Sequence, residues 1–458
     1  MSVSQKRSLR IILVSVTLAI GIVLGIWQVK PPNVDETSHI YPAYQRMMEN
    51  IRENTQHPHP IGSDEIKGVR ENIVAEIEAM GLTPLIEEAG YTEAEIINDE
   101  WFAEKVGEDG SVSLKNILVK LDAPETGRMN RSMIFVSHYD SVAGGPGAAD
   151  DMLGVCAMLE AVRAQAHNTD LNSTVYFLFT EGEEDGMLGA WKFIEAHPEM
   201  EDKIDMMINL EARGNRGGVL LFQTSPQAYS LLKVVKNSGA KPIGFSSGEF
   251  VYAILDTYTD FTAFLRNGYK GINLAAIEGV EHYHEPTDSY EKLDRSTAWH
   301  YLAITLALAD YAANHSLDEL SGSSTDAVFF PFFPGMMVIM TYLESVFLSI
   351  TACGVALAFG AVQAKRGQLK VDFSTVLIGS MVLLAIGSTV FFMAGSYLFS
   401  IPLLVVAITA FLRKWTIPYL AAQMVSGVVI LLLWVPSVFL LWVSLIQPVF
   451  WFFIRMFA

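Results

Sequence analysis

Residues 133–154 read MIFVSHYDSVAGGPGAADDMLG, and residues 174–189 read TVYFLFTEGEEDGMLG. Three polar clusters lie between Ser137 and Glu184 and its flank: SHYD at 137–140, PGAADD at 146–151 and TEGEEDG at 180–186. The first and third each follow an apolar run, Met133–Val136 and Val175–Phe179. Short β-branched and aromatic runs bounded by turn residues predict buried strands. In open α/β sheets, ligands bind just beyond the carboxyl ends of the strands. His138, Asp150, Glu183 and Glu184 are therefore expected at one sheet edge. A histidine with several carboxylates is a donor set that suits zinc.

Working outward, Asp140 follows His138 at i+2, which puts both side chains on one side of an extended segment. A carboxylate there fixes the tautomer of a ligating histidine and raises its basicity. A helix is expected from Met152 to about Ala166, with Leu153, Cys156, Ala157 and Leu159 on its buried face. Asp150-Asp151 at its start fits helix capping, but capping accounts for one aspartate rather than two. Glu183-Glu184 reads most simply as a solvated pair. Yet it follows a buried strand and precedes an apolar helix start, so the pair is a candidate for one ligand and one general base. The run Met206–Leu210 ends at Glu211, another acid at a strand terminus. After the apolar run Ile272–Ile277 comes EHYHEPTD at 281–288, where His282 and His284 flank Tyr283 and either is a candidate ligand.

Toward the N-terminus, helices are expected over 36–52 and 64–80, the second with an apolar face from Ile66 to Met80 and Gly81 as C-cap. Strands are expected over 82–88 and 116–121, with 89–113 polar and irregular. His57 and His59 sit in a proline-bounded loop and are read as solvated.

The chain has 458 residues with 31 Lys and Arg against 50 Asp and Glu, a net charge of −19. Its body, 31–325, is acidic, which argues against nucleic acid as a partner. Its two cysteines, Cys156 and Cys353, make neither a disulfide framework nor a metal site.

The assembled pattern resembles the M28 family of zinc peptidases. The matching pieces are HYDS at 138–141, PGAADD with Gly154, EGEEDG with Gly189, NLEARG at 209–214 and YHEPTD at 283–288, supported by HPIGS at 59–63 and YTDFTAF at 258–264. Each is weak alone, and their order over residues 40–315 makes them specific. The resemblance implies an α/β fold with a mixed central sheet flanked by helices. It implies two zinc ions bridged by Asp150, with His284 and Glu184 at one and His138 and Glu211 at the other. It makes Glu183 the general base, and Tyr283 a hydrogen-bond donor to the tetrahedral intermediate. Many relatives have aspartate where this chain has Glu211. The implied outcome is removal of N-terminal residues from peptide substrates. The alternatives are a one-zinc glutaminyl cyclase and a silent receptor domain; both lack ligands that are present here.

Both ends of the chain are apolar. Lys6, Arg7 and Arg10 precede an uncharged run over 11–29, about the 17–25 residues that span a bilayer. An uncleaved anchor is expected there rather than a cleaved signal peptide. Uncharged runs at 345–364, 373–412 and 415–454 predict an α-helical transmembrane bundle of about five helices over 345–458. The basic flanks then put the body, 31–325, on the non-cytoplasmic side of a multi-pass protein in the lipid bilayer. Residues 326–344 are expected as an interfacial linker. A peptidase domain of this kind joined to a membrane bundle resembles the M28 subgroup that includes vacuolar membrane proteases and the endoplasmic-reticulum metallopeptidase.

Overall fold

The computed structural model describes residues 30–92, 111–124, 131–246, 252, 257–322, 324–333, 335–345 and 347. Residues Pro31–Asp326 make one compact unit.

Its centre is an eight-stranded mixed sheet. The strands are β1 (Leu85–Thr92), β2 (Ser111–Leu121), β3 (Ser132–His138), β4 (Thr174–Thr180), β5 (Met206–Ala212), β6 (Arg216–Thr224), β7 (Ile243–Gly244) and β8 (Gly271–Glu278). Their order across the sheet is β1-β2-β4-β3-β5-β8-β6-β7. The inner four, β4, β3, β5 and β8, are mutually parallel. The neighbours on either side, β2 and β6, run antiparallel to them. All seven residues of β3, β4 and β5 are buried. This is why these strands read as continuous apolar runs: a parallel strand covered on both faces has no solvent side to alternate toward.

Helices cover the sheet: α1 (Tyr41–Asn54), α2 (Asp64–Ala79), α3 (Met152–Gln165), α4 (Leu188–Ala196), α5 (Met200–Lys203), α6 (Tyr229–Asn237), α7 (Asp260–Arg266) and α8 (Arg295–Asn314). Ser63 caps α2 by accepting from the Ile66 N–H at 3.2 Å, and Asp294 caps α8 by accepting from the Thr297 N–H at 2.9 Å. Helix α3 packs on β3, α1 and α8, and Glu160 within it is buried and paired with Arg46 of α1 at 2.5 Å. Gly154 is required by the approach of α3 to β3. A Cβ there would stand 2.6 Å from the Ser137 hydroxyl and 2.7 Å from the Asp151 carboxylate.

Several expectations need adjusting. Residues 89–92 and 111–113 are not irregular, because β1 and β2 pair antiparallel from Leu85↔Leu118 to Thr92↔Ser111. The remainder of 89–113 lies outside the described residues. Residues 327–341 form a hairpin of β9 (Ala327–Phe333) and β10 (Met336–Thr341).

The expected transmembrane bundle is corrected. Among the described residues no helix is long and apolar enough to cross a membrane. The longest described helix, α8, has the length at 20 residues, but it carries Arg295, His300 and Asp310 and packs within the α/β unit. The runs at 11–29 and beyond 347 that carried the expectation, and the multi-pass assignment built on them, lie outside the described residues.

Candidate metal centre

The four parallel strands deliver acids and histidines to one edge of the sheet. Strand β3 ends on His138, which lies opposite Thr180 at the end of β4, and the chain beyond β4 continues into Glu183 and Glu184. Glu211 sits near the end of β5. After β8, a short 3-10 turn over Val280–His282 leads to Tyr283 and His284. The glycine-rich turn before α3 lies under that segment. A Cβ on Gly145 would come within 2.5 Å of the Glu285 carbonyl, so glycine is what allows His284 to approach Asp150. His284 itself has φ of 60°, a conformation uncommon for non-glycine residues and concentrated at functional sites.

Asp150 lies at the middle of the cluster. Its Oδ1 is 3.3 Å from His138 Nε2, and its Oδ2 is 3.4 Å from His284 Nε2. Each histidine also faces its own glutamate. His138 Nε2 is 3.8 Å from Glu211 Oε1, and His284 Nε2 is 2.9 Å from Glu184 Oε2. His138, Asp150 and Glu184 each offer a ligand atom within 4.8 Å of the others. His282 is turned elsewhere, with Nδ1 2.8 Å from the Thr287 hydroxyl.

Neighbouring groups hold these side chains. The His138 Nδ1–H donates to the Asp140 backbone carbonyl at 3.0 Å, while the Asp140 carboxylate stands 3.6 Å away. That carboxylate instead accepts the backbone N–H groups of Gly182, Glu183 and Glu184 at 2.8, 3.2 and 3.2 Å. Asp140 thus orients the glutamate pair with its side chain and His138 with its carbonyl. Asp288 was the last letter of a motif in the sequence and had no role assigned there. Its carboxylate accepts the N–H groups of Ala149 and Asp150 at 3.0 and 3.1 Å. The Tyr301 hydroxyl accepts the Glu211 N–H at 2.7 Å. Asp151 makes no capping hydrogen bond with its side chain; its carboxylate accepts the Ser137 hydroxyl instead. His59, expected in solvent, is 2% exposed, and its N–H donates to Ser141 Oγ at 2.9 Å. His57 is exposed.

The electrostatics of the cluster favour a cation. Burial, and then the charge of Asp150, push Glu184 up to about 7. Burial and the Glu211 charge push Glu183 well above the usual carboxylate range. Burial raises Glu211 and Asp151 as well. Burial pulls His284 down, but the neighbouring carboxylates of Asp150 and Glu184 outweigh it and hold the imidazole up at about 10. His138 is likewise raised against burial by Asp140, Asp150 and Glu211. Five ligand-type atoms — His138 Nε2, both Asp150 oxygens, Glu184 Oε1 and Glu211 Oε2 — are buried with no hydrogen-bond partner among the described residues. Buried polar atoms are ordinarily paired. Lone pairs converging from two sides on Asp150 fit metal ions, and nitrogen with carboxylate oxygen suits zinc.

Residues 116–309 match the family described as Peptidase family M28. Over that stretch the chain is similar to the M28 peptidases. All of the residues of the cluster lie inside it. Among curated relatives, the vacuolar membrane protease of Candida dubliniensis is 27% identical over 62% of this chain. That of Saccharomyces cerevisiae strain YJM789 is 32% identical over 47% of it. The chain spans 29% and 22% of those two proteins. Among solved structures, a zinc aminopeptidase from Bacillus subtilis is 14% identical with a TM-score of 0.46, covering 59% of this chain and 95% of that one. A likeness at that level carries no argument about chemistry.

Proposed function

We propose that this chain is a metallopeptidase that holds two zinc ions on Asp150 and removes residues from the N-termini of peptides. The observation that carries the reading is the double facing of Asp150, with one carboxylate oxygen toward His138 and the other toward His284. His138 and Glu211 would hold one ion, and His284 and Glu184 the other. When bound, zinc supplies Lewis acidity, polarising a carbonyl and making a water acidic enough to ionise near neutral pH.

The protein's own residues do the rest. Glu183 stands close enough to the set for its charge to act on His138 and Glu211. Burial makes its carboxyl a stronger base than an exposed glutamate. It is suited to accept the proton of the attacking water and return it to the leaving amine. Asp140 pins the backbone of Gly182, Glu183 and Glu184, which keeps base and ligand on separate bearings. Tyr283, whose ring stacks on His284 at 3.7 Å, is suited to donate its hydroxyl proton to the developing oxyanion. A one-zinc cyclase needs only one half of this arrangement; the facing of Asp150 toward both His138 and His284 supports the two-ion reading.

The relatives' names motivate a further proposal, that the protein associates with a membrane. Zinc analysis of the full chain, alongside free and N-acetylated peptides, tests the catalytic reading. Two zinc equivalents are expected, with release of N-terminal residues from free peptides, loss on chelation and recovery with zinc. Release only from acetylated peptides, or only from C-termini, sinks the aminopeptidase assignment. Hydrolysis that ignores chelation sinks the metal.

A further inference from the structure

Arg213 follows Glu211 by two residues, just past the end of β5, where its N–H donates to the Ala276 carbonyl at 2.8 Å. An arginine beside buried acids is expected to pair with them through its fork of donors. Among the described residues it makes no ion pair with Glu211 or Asp150, whose oxygens face the histidines. The guanidinium instead lies between two tyrosines. Its central carbon is 5.8 Å from the Tyr252 ring centre and 5.4 Å from that of Tyr283, within cation–π range. Nη2 donates to the Tyr258 carbonyl at 3.1 Å. Nε is buried and has no hydrogen-bond partner among the described residues. A guanidinium carries five donors, and a buried one left unused is costly.

An arginine guanidinium keeps its charge in a protein at any ordinary pH. Tyr283 stacks on His284, so the same aromatic wall lines both the arginine and one half of the metal centre. A fixed cation with a free donor, aromatic walls and a position at the rim of the reacting centre matches a carboxylate.

We propose that Arg213, held between Tyr252 and Tyr283, receives a carboxylate of the substrate, so that short peptides with a carboxylate beside the scissile bond are preferred. This rests on the peptidase reading. The carboxylate has two sources: the C-terminal group of a dipeptide, or an acidic side chain on the leaving residue.

Three reduced dipeptides, whose peptide carbonyl is replaced by methylene so that nothing can be cleaved, distinguish these. They are leucyl-alanine, leucyl-alanine amide and leucyl-glutamate amide, titrated calorimetrically into the zinc-loaded full chain. One of the two carboxylate-bearing ligands is expected to bind about tenfold or more tighter than the alanine amide, the size of a charge-assisted pair. The ligand that carries the preference identifies the source. Arg213→Gln brings the ratio close to one, and Arg213→Lys restores part of it. A merely structural Arg213 would weaken all three ligands together and leave the ratio intact. Equal binding of the three, binding of none, or a ratio that survives Arg213→Gln overturns the proposal. The peptidase reading fails separately, when ordinary leucyl-alanine is left intact while the reduced forms still bind with preference.

Discussion

Glu183 and Glu184 are adjacent in the chain and face different company. Glu184 lies 2.9 Å from His284 and is raised by burial and by the charge of Asp150, whereas Glu183 is raised by burial and by Glu211 across the cluster. Removing the basic oxygen of Glu183 while keeping its shape therefore separates chemistry from metal binding. Glu183→Gln is expected to keep its zinc and to lose turnover on the order of 10²–10⁴-fold, the usual worth of a general base. Loss of zinc from this variant would show that the two glutamates have exchanged roles. Asp150 supplies the second residue-level test, because its two oxygens lie 3.3 Å from His138 and 3.4 Å from His284. Asp150→Ala is expected to lose more zinc than His138→Ala when both are measured by elemental analysis. One equivalent lost from each would show that Asp150 serves a single ion.

At the scale of elements, His300 joins α8 to the far side of the sheet. Its Nδ1 accepts the Val219 N–H of β6 at 3.2 Å, and its Nε2–H donates to the Lys241 carbonyl at 3.0 Å. Both contacts use the neutral ring, and burial holds the imidazole down at about 4. The unfolded chain, with an ordinary histidine near 6.5, then binds more protons than the folded one below that pH. Stability contributed by neutral His300 is present above about 6.5 and is lost as pH falls toward 4. Between pH 7 and pH 5 the loss is about 2 kcal/mol by linkage. Urea unfolding of the wild type and of His300→Gln at both pH values should show a shallower pH slope for the variant. Equal slopes would mean that the folded ring protonates freely.

For the whole molecule, the cluster residues from His138 to His284 lie within the single compact unit Pro31–Asp326. Its core is closed by its own helices, with β3, β4 and β5 fully buried. Residues 31–326 expressed alone are expected to unfold in one cooperative transition whose midpoint rises with added zinc, as ligand binding to the native state requires. A broad transition indifferent to zinc would show that the unit depends on the rest of the chain.

The sequence by itself determined the inner strands, α3 and the order of the chemical clusters. A strand buried on both faces must be apolar throughout, and the acids that follow must then emerge at its end; both facts are local and leave a written trace. His138, Glu183, Glu184 and Glu211 stood out as candidates for that reason, while His282 and His284 stayed alternatives. The antiparallel pairing of β1 and β2 was not, because an edge strand with Leu85 and Ile86 exposed lacks the buried pattern of a core strand. The tertiary structure alone decided which histidine of the 281–288 segment faces Asp150, that His59 is buried, and that Asp140 and Asp288 hold backbone N–H groups of the site. It also decided that Arg213 stands between two tyrosines rather than against the acids. Each of these depends on contacts between segments tens to more than a hundred residues apart. No local pattern encodes such contacts, since any exposed loop tolerates the same residues until the fold brings a partner to them.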